Sequence, residues 1–363
     1  MISAALLPFT EAALPIVRHF DEQQNTYKFK RLFAWEGLGV VGKDAAYICN
    51  QTPIGINISR TGDCFFRGWD TLIVDYDQMN DSTSTMMNAS FFQECISNKK
   101  DILFVGNITD GLLCSCMERD PETISMLNTE TSINLGMWAD EKFDSIPVPV
   151  IGVGGLISSS DTLEAVLSLR NYFLKEGHTV SCITKSSLGL LFGMHSHGPI
   201  FDNMSLSEEK KILLLNQITR AVVGRERPEL VIVELPDAVM KYSDDAPNGF
   251  GIRTYMLSQA VDLDCFICCM PCELVSKDFI EHINQSFWEK LQISLSGVYA
   301  TNMLIDSVSL VQNGKPSHVR IDVELASKIV QKNSEGCLVP VFYMSPSGDN
   351  SENFRHYARS LFR

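Results

Sequence analysis

The sequence lacks an apolar run long enough to span a membrane, and it is poor in basic residues. It has 30 Lys and Arg against 44 Asp and Glu, which gives a formal net charge of −14. Non-specific binding to nucleic acid depends on the neutralisation of phosphates by Lys and Arg, so this charge disfavours nucleic-acid partners. It disfavours anionic membrane surfaces for the same reason. A basic or neutral partner is compatible with it.

The sequence also lacks a regular cysteine framework. Its 11 cysteines are irregularly spaced over 363 residues, which predicts a reducing, cytoplasmic location rather than secretion. The apolar stretch from Met1 to Leu7 has no basic segment before it, so it is predicted to be a strand and not a signal peptide. Cys265, Cys268, Cys269 and Cys272 lie in or next to an apolar strand with side chains on alternating faces. Buried thiols are expected there, and no metal site is predicted.

Standard catalytic and nucleotide-binding motifs are missing as well. No G-x-S-x-G elbow occurs, so a serine hydrolase is not predicted. The dinucleotide pattern G-x-G-x-x-G fails because Ile157 replaces its third glycine, which disfavours a Rossmann-type oxidoreductase. The P-loop pattern G-x-x-x-x-G-K-[ST], started at Gly155, meets Ser160 and Asp161 in place of glycine and lysine, and only Thr162 matches.

The region around this degenerate pattern still predicts a strand, a Gly-rich turn and a helix. A β-branched run, 148–153, precedes glycines that can turn tightly. Asp161 and Glu164 have the spacing of a capping box, and the helix Thr162–Lys175 ends before Gly177. Free N–H groups at such a helix start can bind an anion. The cofactor-binding residues predicted at this turn are Gly152, Gly154, Gly155, Ser159, Ser160 and Thr162.

Alternating strands and helices predict an α/β protein with two doubly wound parallel-sheet domains. Residues 1–146 are predicted to form a Rossmann-like domain and residues 147–305 a degenerate P-loop domain. Residues 306–363 are predicted to form a small α+β appendage. Within the appendage, 308–311 and 317–321 are predicted to pair as a hairpin around an Asn-Gly turn.

Polar residues follow the strands of the second domain. Because the carboxyl ends of parallel strands meet at one edge of a sheet, Lys185, Glu234, Asp237 and Asn302 are expected to lie near one another. A lysine there can bind a phosphate and a carboxylate can bind a metal ion. Lys185 and Glu234 are therefore predicted to be catalytic, with Asp237 contacting a substrate or anion.

Two further sites are predicted outside this edge. Lys43 and Asp44 follow a glycine loop in the first domain, where they are predicted to bind and orient an anion. His195 is predicted to act either as an acid or base or as a loop hydrogen-bonding residue. His195 and His197 have no obvious third ligand nearby, which is weak evidence for a metal site.

From residue 150 to residue 189 the sequence resembles dethiobiotin-synthetase-like P-loop domains. In those domains a Gly-rich turn and a helix precede a strand that ends in a lysine and a Ser/Gly loop, as Lys185 to Gly189 does here. The resemblance implies a metal-directed acid at Glu234 and an asparagine that faces a base at Asn302. It implies ATP or GTP with Mg²⁺ as ligand, but the sequence departs from the pattern at Asp161.

Most of residues 1–305 resembles the peptide maturation system proteins more closely. Those proteins lie beside radical-SAM enzymes and small precursor peptides in bacterial peptide-modification gene clusters. The resemblance rests on Gly42 to Ala45, Leu167 to Arg170, Phe192 to Ser196, and the strand before Glu234. It implies an accessory role in the maturation of a ribosomally made peptide of the bacteriocin type, with a precursor peptide or another maturation protein as partner.

Two functions follow from these observations. The first is a nucleotide- or phosphate-binding protein that activates a carboxylate, as a ligase or synthetase does. The second is a non-catalytic scaffold that lost the P-loop lysine and holds a precursor peptide or a partner enzyme. Asp161 favours the scaffold, whereas Lys185, Glu234 and Asn302 favour nucleotide binding. The sequence leaves open whether the chain associates with itself.

Overall fold

A computed structural model divides the chain into two compact units. It describes residues 1–20, 26–34, 39–61, 66–79, 91–107, 122–128, 143–158, 161–244, 246–306, 308–309, 312 and 317–343. The first unit comprises Met1–Leu135 and Ser186–Pro199, and the second comprises Gly136–Lys185 and Ile200–Arg363. Each contains a parallel sheet, and a small antiparallel sheet is also present, so the predicted fold class is confirmed. No helix among these residues is both long and apolar enough to cross a membrane.

The first unit is built on a six-stranded parallel sheet. Its strands are β1 Ile2–Leu7, β2 Tyr27–Phe33, β3 Ile58–Ser59, β4 Thr71–Asp75, β5 Asp101–Gly106 and β6 Ile124–Asn128. Their order is β3-β2-β1-β4-β5-β6, the order of the dinucleotide-binding Rossmann fold. Every residue of β4 is buried, as expected for a parallel strand covered on both faces.

Aromatic side chains fill one side of this sheet. Phe33, Trp69 and Phe91 form an edge-to-face cluster, with the Phe33 ring 6.2 Å from Trp69 and 5.5 Å from Phe91. Helix α1, Leu14–Phe20, contains Pro15 in its first turn, where the missing N–H would have no partner within the helix. This position explains how the helix tolerates an apparently unfavourable residue.

The second unit has six parallel strands in the order β15-β12-β11-β7-β10-β8. Their bounds are β7 Val150–Gly155, β8 Val180–Thr184, β10 Leu230–Ala238, β11 Cys265–Pro271, β12 Gly297–Thr301 and β15 Val341–Tyr343. Strand β7 lies inside the sheet between β10 and β11. The residues that follow β7 therefore lie at the middle of the carboxyl edge of the sheet, which is where open α/β sheets bind their ligands.

Helices lie between these strands in the chain. They are α2 Thr162–Lys175, α3 Gly198–Asp202, α4 Glu208–Glu226, α5 Ile252–Ala260, α6 Lys277–Leu291 and α7 Val323–Asn333. The predicted bounds of α2 are confirmed, and Gly177 after it has φ +92°. Ser207 caps α4, because its hydroxyl accepts the N–H of Lys210. In α2, 11 of 14 residues are buried, which makes it a central helix of the unit.

The glycines expected to form the turn belong instead to strand β7. Gly152, Gly154 and Gly155 are all strand residues without positive φ. A Cβ on Gly154 would lie 2.9 Å from Leu235 and Val239 side-chain atoms. The expectation of a glycine turn is therefore wrong at these positions, since at Gly154 the glycine is required by close packing within the sheet.

The last part of the chain also differs from its predicted pairing. Strand β14, His318–Arg320, pairs antiparallel with β13, Met303–Ile305. Of its predicted partner 308–311, residues 308 and 309 are helical and the other two lie outside the described residues. The bond from Ile321 N–H to Asn302 O continues this register. Strand β15 adds to the edge of the large sheet beside β12. The segment after residue 306 thus brings Arg320 next to the end of β12.

Candidate functional site

A buried carboxylate links the first residue of α2 to the end of β8. Glu234 is fully buried on β10, the strand next to β7. Its Oε1 accepts the hydroxyl of Thr162 at 2.6 Å, and its Oε2 accepts the Lys185 backbone N–H at 3.0 Å. The Lys185 ammonium lies 3.7 Å from Glu234 Oε1, and the Lys185 side chain is 31% exposed. The structure thus brings together three of the residues predicted to form the site.

A second network occupies the start of α2. Asp161, immediately before the helix, accepts two parallel hydrogen bonds from the Arg320 guanidinium, at 2.6 and 2.7 Å. The Arg320 side chain is 7% exposed and that of Asp161 12% exposed. Arg320 also donates to Asn302 Oδ1 at 3.0 Å, and Asn302 Nδ2 donates to Ile321 O at 2.7 Å. Two-pronged pairs of this kind are the strong form of the carboxylate–guanidinium interaction.

The predicted capping box at Asp161 and Glu164 is therefore wrong. Asp161 stands at the N-cap position but makes no side-chain cap hydrogen bond. Both of its oxygens face the guanidinium of Arg320, which is a stronger donor than a neutral backbone N–H. The carboxylate still benefits from the partial positive charge at the helix start.

The turn between β7 and α2 is also attached to the loop after β10. Asn248 donates to the carbonyls of Leu156 and Met240, at 3.0 and 3.3 Å. The four residues Asn248–Gly251 all have positive φ, between +49° and +68°. This left-handed segment presents Phe250 with 64% of its surface exposed. Left-handed backbone at two non-glycine residues is costly and is retained only where neighbouring contacts fix it.

We expect Gly251→Ala to destabilise the second unit by about 2–4 kcal/mol, since it adds left-handed strain to a backbone clash. A Cβ at Gly251 would overlap the carbonyl oxygen of Val239 and lie 2.9 Å from Met240 Cα. Gly249→Ala is the matched control, because Gly249 has a similar φ of +67° but nothing within 4 Å of its Cβ position. For Gly249→Ala we expect only the cost of the left-handed backbone, a loss of about 1–2 kcal/mol in the free energy of unfolding. Urea denaturation measures both changes, and equal losses of unfolding free energy for the two variants would contradict the close approach at Gly251.

The other residues predicted at this edge of the sheet have partners of their own or lie outside the described residues. Asp237 is half-exposed on β10 and lies 3.6 Å from Arg253 Nε in an ion pair. Ser159 and Ser160 lie outside the described residues. Asn302 was predicted to face a nucleotide base, and in the structure its side-chain oxygen accepts from Arg320. Its predicted role in binding a cofactor stays a prediction.

The residues predicted in the first unit have local partners. The Asp44 carboxylate accepts the backbone N–H groups of Ala46, Ile54 and Gly55 at 2.7–3.1 Å. Lys43 Nζ lies 3.6 Å from the centroid of the Tyr47 ring. These contacts stabilise the loop formed by residues 43–55. The binding of an anion there stays a prediction. His195 is buried in the short strand β9, His195–Ser196, and its predicted roles are likewise untested.

Three of the four cysteines predicted to be buried thiols in or next to β11 are buried, whereas Cys265, the first residue of the strand, is only partly buried. Cys268, Cys269 and Cys272 are all fully buried. Burial raises the pKa of the Cys269 thiol well above its ordinary value, and the nearby charges of Asp161 and Glu234 raise it further. A thiol that keeps its proton is a poor nucleophile and a poor metal ligand. We therefore assign these side chains to the core.

Sequence reasoning missed Arg320 and Asn248, although both contact the turn after β7. Arg320 is separated from Asp161 by 159 positions, so no local pattern links them. The one signal in the sequence was Asp161 itself, an acid at the P-loop lysine position. A carboxylate that is nearly buried requires a compensating cation, so this acid indicated that a basic side chain lies beside it.

Comparison with solved structures gives an informative likeness in fold. No protein-family model and no curated protein matches the sequence. The crystal structure of a DUF1611 family protein from Anabaena variabilis is similar, with a TM-score of 0.59 at 8% identity. The alignment covers 100% of this chain and 98% of that chain. At this identity the likeness shows a shared fold alone.

Two further solved structures are more distantly similar. Chloroplast FtsY from Physcomitrella patens has a TM-score of 0.35 at 10% identity, with 78% of this chain and 84% of that chain covered. The signal recognition particle 54 kDa protein from Aeropyrum pernix, in complex with GDP, also has a TM-score of 0.35, at 11% identity. That alignment covers 64% of this chain and 51% of the other. TM-scores of this size do not establish a common fold.

Proposed function

We propose that this protein is a binding protein that neither binds nor hydrolyses nucleoside triphosphates. The observation that carries the proposal is the pairing of Asp161 with Arg320 at the start of α2, where a P-loop protein would hold a phosphate. The position is filled by a carboxylate of the chain itself. A nucleotide phosphate would be repelled by that carboxylate and could bind only by displacing it.

The charges at this edge support the proposal. Asp161 is paired with Arg320, and Glu234 lies beside Lys185, so two negative and two positive groups face one another. A triphosphate needs an excess of positive charge, because like charges about 4 Å apart repel by about 4 kcal/mol near a protein surface. The described residues give this edge no such excess.

The sequence resemblance supports a more specific role. On that basis the ligand of this protein is a precursor peptide or another protein of a bacterial peptide-maturation pathway. The net charge of −14 favours a partner that is basic or neutral rather than acidic.

A second candidate function is nucleotide binding in a ligase- or synthetase-like enzyme. The contact between Thr162 and Glu234, with Lys185 beside it, favours this alternative. A hydroxyl and an acid in these positions hold Mg²⁺ in P-loop proteins. ATP or GTP with Mg²⁺ would be the ligand, and Lys185 would be a cation available to its phosphates.

Thermal denaturation with millimolar MgATP, MgGTP or MgADP separates the two functions. We expect no change in the midpoint for the wild-type protein. A nucleotide present at 100 times its Kd would add roughly 2.7 kcal/mol of stability, which shifts the midpoint by several degrees. Such a shift would overturn the proposal, provided that Lys185→Ala abolishes it and Lys175→Ala, at the opposite end of α2, does not.

A further inference from the structure

The start of helix α5 carries a group of large apolar side chains that are exposed. Phe250, Ile252 and Tyr255 are 64%, 56% and 47% exposed. Ile252 and Tyr255 are three residues apart in the helix, so their side chains lie on the same face, and Phe250 lies two residues before the helix begins. Single exposed apolar residues are common, but a group of them marks a surface that binds another molecule.

The loop after helix α3 adds a fourth apolar side chain to this group. Arg253, which follows Ile252 in α5, forms an ion pair of 3.4 Å with Asp202 at the end of α3. Met204 lies two residues beyond Asp202 and is 90% exposed. Aromatic residues, Met and Arg are the residue types enriched in protein–protein interfaces. The name α5 surface is used below for Met204, Phe250, Ile252 and Tyr255.

The backbone before α5 fixes Phe250 in its exposed position. Asn248 and Phe250 have φ values of +49° and +56°. The Asn248 side chain holds this left-handed segment by donating to the carbonyls of Leu156 and Met240, at 3.0 and 3.3 Å. A side chain that is already fixed loses less conformational entropy when a partner binds, so Phe250 is suited to be an anchor for a partner.

The charges beside the α5 surface determine which partner fits it. Arg253 lies between two acids, Asp202 and Asp237, which are 58% and 38% exposed. In the loop before Asn248, Lys241 pairs with Asp244, which is 93% exposed. These five charged side chains sum to one negative charge, and the whole chain has a net charge of −14. A basic partner complements such a surface. A second copy of this chain does not, because a symmetric interface would bring the same acids face to face.

We propose that the α5 surface is a docking site for a basic segment of another polypeptide. Apolar side chains of that segment pack against Phe250 and Tyr255, and its Lys or Arg side chains face Asp202 and Asp237. A few aromatic anchors supply most of the binding free energy in interfaces of this kind. The inference rests on the proposed function, because it assigns a surface to the basic partner of a binding protein.

A synthetic peptide of four Leu-Lys-Lys-Leu repeats, labelled with fluorescein, is the probe. Fluorescence anisotropy at about 150 mM salt measures its binding, since this ionic strength screens long-range attraction to the acidic protein. We expect the wild-type protein to bind it with a Kd of about 100 µM or tighter. The double variant Phe250→Asn with Tyr255→Gln should bind at least about tenfold more weakly. Asparagine tolerates the left-handed backbone and glutamine suits a helix, so the fold should be retained.

A second variant and a matched control make the result specific. Met204→Gln with Tyr255→Gln leaves the left-handed segment untouched, and it should also weaken binding if the first variant does not fold. Trp288→Ser removes an aromatic side chain of α6 that is 52% exposed, and it should leave the Kd within about twofold of the wild-type value. Circular dichroism checks that each variant is folded.

Four outcomes would overturn the inference. They are a wild-type protein that does not bind the peptide, folded α5-surface variants that bind it as the wild-type protein does, an equal loss in Trp288→Ser, and equal binding of a peptide with Glu in place of Lys. Analytical ultracentrifugation tests the other occupant. A dimer that the α5-surface variants dissociate would show that a second copy covers the surface, which also overturns the inference.

The failure of this inference is distinguishable from that of the proposed function. A midpoint shift with MgATP that Lys185→Ala abolishes refutes the proposed function, whatever the peptide does. Peptide binding that is unaffected in the α5-surface variants refutes the docking site, even when no nucleotide shifts the midpoint.

Discussion

Arg320→Ala should lower the free energy of unfolding of the second unit by about 3–5 kcal/mol, the usual cost of leaving a buried charge without its partner. The variant removes the guanidinium that neutralises Asp161, whose side chain is only 12% exposed. We expect a value near the lower end, because the helix start also stabilises a negative charge. Urea denaturation followed by circular dichroism measures the change.

The double variant Arg320→Ala with Asp161→Ala tests the physical reason. It leaves no uncompensated charge, so it should recover much of the lost stability. Lys241→Ala is the matched control for an ion pair outside the core, because its partner Asp244 is 93% exposed. That change should cost at most about 1 kcal/mol. If the exposed and buried pairs give the same loss, the Asp161–Arg320 contact is not a buried ion pair in solution.

The second large effect is a pH dependence that arises from Asp75 in the first unit. Burial and, to a smaller extent, the neighbouring Asp77 together raise the pKa of the Asp75 carboxyl to about 7 from its ordinary value of 3.8. Between pH about 4 and about 7, the unfolded chain has lost this proton while the folded chain retains it. The free energy of unfolding should therefore fall as the pH rises through this window, by roughly 4 kcal/mol in all.

Asp75→Asn should remove this dependence and stabilise the protein above pH 7. An amide oxygen can still accept the backbone N–H groups of Asp77 and Gln78, which bond to Asp75 now. Asp70→Asn, an exposed acid just before β4, controls for the loss of one carboxylate. Urea denaturation at pH 5 and pH 8 gives the comparison. A wild-type stability that rises over this range relative to Asp75→Asn would contradict the assignment.

The elements that the sequence predicted well are those that local patterns specify. Helix α2, Thr162–Lys175, has an apolar face at helical spacing and a glycine after its end, and its bounds are confirmed. Ser207 caps α4 because a hydroxyl one residue before a helix can reach a backbone N–H. The class of two parallel sheets followed from alternating strands and helices, which place crossover connections on both faces.

Part of the site could also be predicted, because sheet topology constrains it. Thr162, Lys185 and Glu234 follow or occupy parallel strands, whose carboxyl ends meet at one edge. The glycines of β7 were interpreted wrongly. A glycine that permits a turn and a glycine that admits a neighbouring side chain look alike in sequence, and only packing distinguishes them.

The sequence by itself determined the fold class, the position of the strand and helix around the degenerate P-loop pattern, and the acid at position 161. Those properties depend on residues that are close in sequence, so hydrophobic periodicity and capping residues predict them. Only the tertiary structure decided what that acid does. Arg320 reaches Asp161 because β14 pairs beside the end of β12, and long-range strand pairing of this kind leaves no local pattern in the chain.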